Sequence, residues 1–187
     1  AKIGGVVVPL NWRLVADELE FIIKDSGSKV LLFGDEFVDL AADLHGRGDK
    51  TDIECWIHSD GVDGGTSDFS DNYESLRHAS ATLEPEITAV DDDLLYIMYT
   101  SGTTGLPKGV VHTHSTTIWA LITIMATADM REGDKYLAAL PMFHVGSLTP
   151  ITLNVYSGAT SVVMREFDPV RAWELFEEEG ITTALLV

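Results

Sequence analysis

Short apolar runs alternate with helical patterns along most of this chain, and that alternation restricts its fold more than any other feature. Ala16 to Ser26 carries Leu19, Ile22 and Ile23 at helical spacing, with Asp17 and Glu18 in the first turn and Gly27 where a helix would stop. Lys29 to Phe33 reads as a buried strand, Asp35 to Leu44 as a second helix and Ile53 to Ile57 as another strand. Gly61 to Asp71, rich in Gly, Ser, Thr and Asp, reads as a mobile loop, and Asp71 to His78 as a short helix. Leu94 to Thr100 and Gly109 to His112 are strands. His114 to Met130 is a helix expected to turn Ile118, Leu121, Ile122 and Met125 inward. Tyr136 to Leu140, Thr160 to Met164 and Thr182 to Val187 are further strands, with a helix over Ser147 to Tyr156. Asp168 is placed as an N-cap with Pro169 at the first helical position; Val170, Trp173 and Phe176 are expected on the inner face, with Gly180 closing the helix.

Strand, helix, strand in that order implies parallel pairing, because parallel neighbours need a crossover that a helix supplies. The expected fold class is therefore α/β: layered αβα subdomains with mainly parallel sheets. Residues 1–130 form one group and 131–187 a second.

Composition narrows the partners. A formal charge of −18 opposes binding to nucleic acid or an anionic membrane surface, both of which reward basic patches. Most of the 30 acidic residues precede Leu94, which makes that half a solvated acidic face. Asp91-Asp92-Asp93 points its carboxylates in different directions, so it reads as a solvated turn rather than a metal site. The single cysteine, Cys55, fits a reducing cytoplasm, and no charged segment precedes an apolar run as in a signal peptide. Tyr136 to Met164 has no Asp, Glu, Lys or Arg and is long enough to span a bilayer. Pro141, His144, Gly146, Pro150, Asn154 and Gly158 interrupt it, so no transmembrane segment is expected. The start, Ala1-Lys2-Ile3-Gly4-Gly5 running into Val6-Val7-Val8-Pro9, reads as the interior of a longer chain.

The stretch that carries chemistry is Tyr99-Thr100-Ser101-Gly102-Thr103-Thr104-Gly105-Leu106-Pro107-Lys108-Gly109. Glycines allow close backbone approach, successive N–H groups form an anion-binding concavity, and hydroxyls and Lys108 add donors. The ordinary P-loop is excluded: Pro107 stands where its second glycine belongs and Gly109 where its Ser/Thr belongs. A Gly/Thr-rich surface turn is the plainer reading, and the length and order of the string favour a polyphosphate cradle. His112 and His114 lack a nearby third ligand for a metal site.

Tyr99 to Gly109, with Val110-Val111-His112-Thr113-His114 after it, resembles the phosphate-binding signature of the AMP-forming acyl-CoA synthetases and their adenylate-forming relatives. The resemblance extends to Pro9-Leu10-Asn11 and to Pro141-Met142-Phe143-His144-Val145-Gly146, which is similar to the family's acyl-pocket motif at the spacing the family uses. It implies that the chain is part of the N-terminal domain of such an enzyme. That enzyme would join a carboxylate to ATP, giving acyl-AMP and pyrophosphate, and then form a thioester with coenzyme A. Carried over by resemblance, Ser101, Gly102, Thr103, Thr104, Gly105 and Lys108 hold the β- and γ-phosphates. Thr100 is the hydroxyl that touches Mg²⁺, and His144 lies along the acyl or pantetheine path, with Lys108 and His144 as the catalytic pair.

Amino-acid-activating relatives place Asp where this chain has His144, to pair the substrate ammonium. A neutral imidazole cannot supply that anion, and a buried unpaired ammonium is strongly disfavoured. The implied substrate is a carboxylic acid without an α-amine. Met142, Phe143, Val145 and Leu148 favour a fatty acid over an aryl acid. The family's later Tyr-Gly-x-Thr-Glu motif, its ribose-binding Asp and its C-terminal catalytic Lys do not occur before Val187, so the 187 residues alone are expected to lack turnover. Rival readings are an aryl-acid ligase, an acyl-AMP ligase serving a carrier protein, a nucleotide hydrolase and a non-catalytic nucleotide-binding module. A homodimer stays open.

Overall fold

The computed structural model describes residues 1–59, 67–100 and 105–186. It divides into two compact units. One comprises Ala1–Pro9, Thr88–Met98 and Val110–Val187; the other comprises Leu10–Ile87 and Tyr99–Gly109.

In the second of these, helix α1 (Ala16–Ser26) precedes strand β1 (Val30–Gly34), helix α2 (Val38–Gly46) and strand β2 (Cys55–Ser59). Gly27 ends α1 in the left-handed conformation, at φ 66°, and its N–H returns to the last turn. The expected second helix begins as a 3₁₀ turn over Asp35–Phe37 before becoming α-helical. β1 and β2 pair in parallel, Val30 opposite Cys55 through Gly34 opposite Ser59, and β3 (Asp71–Asn72) extends β2 in the same sense. Helix α3 (Tyr73–Ala79) follows, with the Asn72 side chain accepting from the Ser75 N–H. Ala16, Leu19 and Ile23 of α1, Phe33, Ala41, Leu44 and Trp56 form the core. Arg47, just past α2, donates to Asp17 and Glu20 of α1 at 2.7 Å each and to Asp43, so one guanidinium ties the two helices together.

The segment expected to be a mobile loop falls partly on residues 60–66, outside the described residues. Its far end is held. Phe69 stacks on Phe33 and His45 and meets Trp56 edge-on, with centroids 5.9, 4.8 and 5.8 Å away. An isolated phenylalanine among polar residues supplied the anchor.

Strand β4 (Leu94–Thr100) pairs with β5 (Lys108–Thr113); Leu94–Met98 and Val110–Thr113 belong to the other unit, while Tyr99, Thr100, Lys108 and Gly109 belong to the unit of α1 and α2. Val7 bridges Tyr96 of β4 in parallel through hydrogen bonds of 3.0 and 2.9 Å. Tyr96 and Met98 are buried and their neighbours are not, the period-2 signature of a strand with one covered face. Helix α4 (His114–Ala128) starts from Thr113, whose side chain accepts from the Thr116 N–H. The carbonyls of Asp93 and Asp91 accept from His114 and Ser115, so the triple-Asp turn satisfies two free N–H groups of the first helical turn.

Strand β6 (Lys135–Ala138), helix α5 (Val145–Ser157), strand β7 (Thr160–Val163), helix α6 (Pro169–Glu178) and strand β8 (Thr183–Ala184) complete this unit. Its sheet order is β7-β6-β8, with both pairings parallel. The α/β class and parallel pairing match the sequence expectation. Central β6 buries Tyr136, Leu137 and Ala138. Asp168 caps α6 by accepting from the Arg171 N–H at 2.6 Å, with Pro169 next, as expected. No described helix is long and apolar enough to cross a membrane.

Two helix faces differ from expectation. In α4 the buried residues are Thr117 and Leu121, with Ile124 and Met125 half-covered; Ile118 and Ile122 are exposed. In α6 Ala172 and Leu175 are buried, Phe176 packs beside them, and Val170 and Trp173 are exposed. The expected stripes followed side-chain bulk, whereas the sheet takes the small Ala172 at closest approach, placing Trp173 about 100° away around the axis.

Leu137 is 0 % exposed and Trp173 75 %. Leu137→Ala should therefore cost about 2–5 kcal/mol, against less than about 0.5 kcal/mol for Trp173→Ala, compared by urea denaturation. A second prediction concerns His112, whose ring stacks on Tyr96 at 4.3 Å. Burial lowers its pKa below the usual 6.5, so the unfolded chain takes up this proton at a higher pH than the folded chain does. Its stabilising contribution is complete above that unfolded value and is lost as the pH falls through it. Urea midpoints on either side of pH 6.5 should drop on the acid side, and by less in His112→Phe.

Candidate functional site

The phosphate-loop residues enter the structure from both ends. Thr100 is the last residue of β4 and Lys108 the first of β5. Ser101, Gly102, Thr103 and Thr104 lie outside the described residues. Gly105 has φ 150°, a backbone geometry that side-chain-bearing residues rarely adopt, and its Cα faces open space. Lys108 is exposed and has no carboxylate partner among the described residues, so its ammonium remains available to an anion. Thr100 is exposed as well. An exposed hydroxyl at one strand end and an exposed ammonium at the next strand's start suit a phosphate chain and its counter-ion. No group of three or more His, Cys, Asp or Glu among the described residues could hold a metal by itself.

Tyr99, next to Thr100, is tied down. Its hydroxyl donates to the Asp25 carboxylate at 2.6 Å. Burial first, then the hydrogen bond and charge of Asp25, push the phenol pKa up, so Tyr99 stays protonated and a donor.

The other motif belongs to the other unit. After β6 the chain makes a turn in which His144 N–H donates to the Pro141 carbonyl at 3.1 Å. His144 is then the N-cap of α5, at φ −106° and ψ 144°, its carbonyl accepting from Ser147 and Leu148. Its side chain makes no capping bond; it is exposed and lies tilted against buried Phe143, with centroids 4.5 Å apart. The motif thus divides its apolar residues: Phe143 anchors the turn in the core, while Met142 and Val145 face outward. Gly146 lies close to the core, where a Cβ would sit in van der Waals contact with the Leu140 and Leu185 side chains at 3.4 Å. Lys108 and His144 fall in different compact units, and each is described in its own frame.

The sequence reading passed over three features of these segments. One is the Tyr99–Asp25 bond, between residues too far apart in the chain for any local pattern to reveal. Another is the buried hydroxyls of Ser147 and Thr149, which follow the His144 motif on α5 without hydrogen-bond partners among the described residues. The third is Thr117 on α4, buried and likewise without a partner among the described residues. Ser147 and Thr149 did carry a signal, being hydroxyl residues inside the uncharged Tyr136–Met164 stretch.

Comparison with known proteins adds the following. The family model described as "AMP-binding enzyme" matches residues 1–187. The chain is 41% identical over 182 residues to the long-chain-fatty-acid–CoA ligase FadD13 of Mycobacterium tuberculosis, covering 97% of this chain and 34% of the relative. It is 34% identical over 193 residues to the fatty acid–[acyl-carrier-protein] ligase ScoC of Streptomyces coeruleorubidus, covering 100% of this chain and 34% of that protein. An inhibitor-bound crystal structure of the N-terminal domain of FACL13 from Mycobacterium tuberculosis superposes with a TM-score of 0.87 at 38% identity, covering 98% of this chain and 44% of that one. The chain spans about a third of the length of the curated relatives it matches. With the family model covering every residue and the same α/β architecture in the solved N-terminal domain, this chain belongs to the AMP-binding enzyme family.

Proposed function

We propose that this chain is the phosphate-gripping and acyl-orienting part of an AMP-forming acid–thiol ligase acting on fatty acids. The observation that carries the proposal is that Thr100 and Lys108, at the two ends of the Gly/Thr string, are both exposed, Lys108 without a carboxylate partner among the described residues. The names of its relatives, a long-chain-fatty-acid–CoA ligase and a fatty acid–[acyl-carrier-protein] ligase, support the substrate class. The second of them keeps a carrier-protein thiol open as the final acceptor in place of coenzyme A.

In the proposed reaction a carboxylate oxygen attacks the α-phosphorus of ATP. The bond from that phosphorus to the pyrophosphate oxygen breaks, and the electron pair leaves with pyrophosphate. A thiolate then attacks the acyl carbon and AMP departs. Two anions must approach each other, a repulsion of about 1 kcal/mol per charge pair at 4 Å in water and several times that in a dry site. Lys108 offsets part of that charge as a compact cation. Ser101, Gly102, Thr103, Thr104 and Gly105 are assigned to the β- and γ-phosphates by resemblance, with Thr100 as the hydroxyl facing Mg²⁺. When bound, the ion neutralises phosphate charge. His144, exposed beside Phe143, is assigned to the acyl or pantetheine path, with Met142 and Val145 as apolar neighbours.

We further assign residues 131–187, which hold the whole β7-β6-β8 sheet, to a second subdomain after a first at 1–130, with α4 packed in the same compact unit as that sheet through Leu121, Tyr136 and Leu153. Cys55 is free and half-buried, in keeping with the cytoplasm.

Calorimetric titration of the full-length protein with Mg·ATP should show binding, and Lys108→Ala should weaken it at least tenfold, or about 1.4 kcal/mol. Equal affinity in the variant would remove the phosphate-grip assignment. On the full-length protein, ATP–pyrophosphate exchange should require a long-chain fatty acid and be negligible with an α-amino acid; ATP consumption without any acid would point to a hydrolase instead.

A further inference from the structure

Resting on that phosphate-binding reading, we propose that Asp25 and Tyr99 form a positioning pair that aims Thr100 at the metal–phosphate ligand. The two residues are in the same compact unit, and the Tyr99 hydroxyl donates to the Asp25 carboxylate at 2.6 Å. Successive residues of a strand project to opposite faces. Tyr99 lies on the face of β4 shared with Leu95 and Ile97, and Thr100 on the face of Tyr96 and Met98. Fixing the Tyr99 side chain therefore fixes the rotation of the strand end about its axis, and with it the direction of the Thr100 hydroxyl.

The anchor is rigid. Asp25 sits in the last turn of α1, a helix held by fully covered Ile22 and Ile23 and tied to α2 through Arg47. Its location also needs explaining, because a carboxylate in a last helical turn faces the negative end of the helix dipole, where a cation such as neighbouring Lys24 is favoured. Accepting from Tyr99 offsets that disadvantage. Phenylalanine would keep the ring at this strand position; only the hydroxyl adds a directional constraint. Asp25 and Tyr99 touch neither phosphate nor metal in this account. They act through Thr100.

The test is calorimetric titration of the full-length protein, wild type and variants, with ATP in the presence of Mg²⁺ and with ATP in a chelator. Tyr99→Phe and Asp25→Ala should each weaken Mg·ATP binding about fivefold, and the double variant no more than either single one, since both remove the same bond. Affinity for metal-free ATP should stay unchanged. A merely structural bond would lower both affinities together, and that result would overturn the proposal. So would Tyr99→Phe that binds Mg·ATP like the wild type while Lys108→Ala loses tenfold, an outcome that leaves the phosphate-binding reading standing. If the wild type fails to bind Mg·ATP, or Lys108→Ala binds it normally, both readings fall.

Discussion

Parallel strand pairing is the constraint on which the rest of this structure depends. Parallel neighbours cannot be joined by a tight turn, so each pair obliges the chain to cross over and cover the sheet on the way. Helix α2 makes that crossing between β1 and β2, α5 between β6 and β7, and α6 on the way to β8, which returns to the open side of β6. The central strand is buried as a consequence, and Leu137 is sealed completely. Crossovers also leave functional loops where strands end. Thr100 closes β4, and the Pro141–His144 turn follows β6, in keeping with the tendency of open α/β sheets to bind ligands beyond strand carboxyl ends.

A net charge of −18 looks hostile to a polyphosphate, yet the acids are largely occupied close to home. Arg47 gathers Asp17, Glu20 and Asp43. Asp168 caps α6. Asp134 accepts from the Arg131 N–H and from the Thr182 hydroxyl, which hold its carboxyl below the usual carboxylate range. Screening limits what remains to about 8 Å at physiological ionic strength. Beside that background Lys108 is exposed and has no carboxylate partner among the described residues.

Element positions were legible in the sequence because their signals are local. Gly27 as a stop, Asp168-Pro169 as a start and the Leu94–Thr100 strand depend on backbone conformations and caps that neighbouring residues set. The inward faces of α4 and α6 were less legible. Helix α4 carries Ile118, Trp119, Leu121, Ile122, Ile124 and Met125 around most of its circumference, so periodicity alone could not choose a stripe. Helix α6 put small Ala172 against the sheet and left Trp173 outside, a choice made by how closely a helix can approach its neighbours. Phe69 shows the same limit, since nothing adjacent to it announces that it will fill an aromatic cluster.

For the candidate site, the sequence by itself determined the chemistry: which residues carry hydroxyls, where backbone can come close to a ligand, and that the only strong positive charge in the string is Lys108. Those properties belong to side chains and to their order, and they survive any fold that delivers the string as a loop. Tertiary structure alone decided which of those groups are free and what steadies them. Whether Lys108 has a neighbouring carboxylate, whether His144 faces outward beside Phe143, and that Tyr99 reaches Asp25 on α1 are matters of distance between segments far apart in the chain. Such distances are set by how whole faces of helices and sheets pack, a collective outcome that no short stretch of sequence encodes.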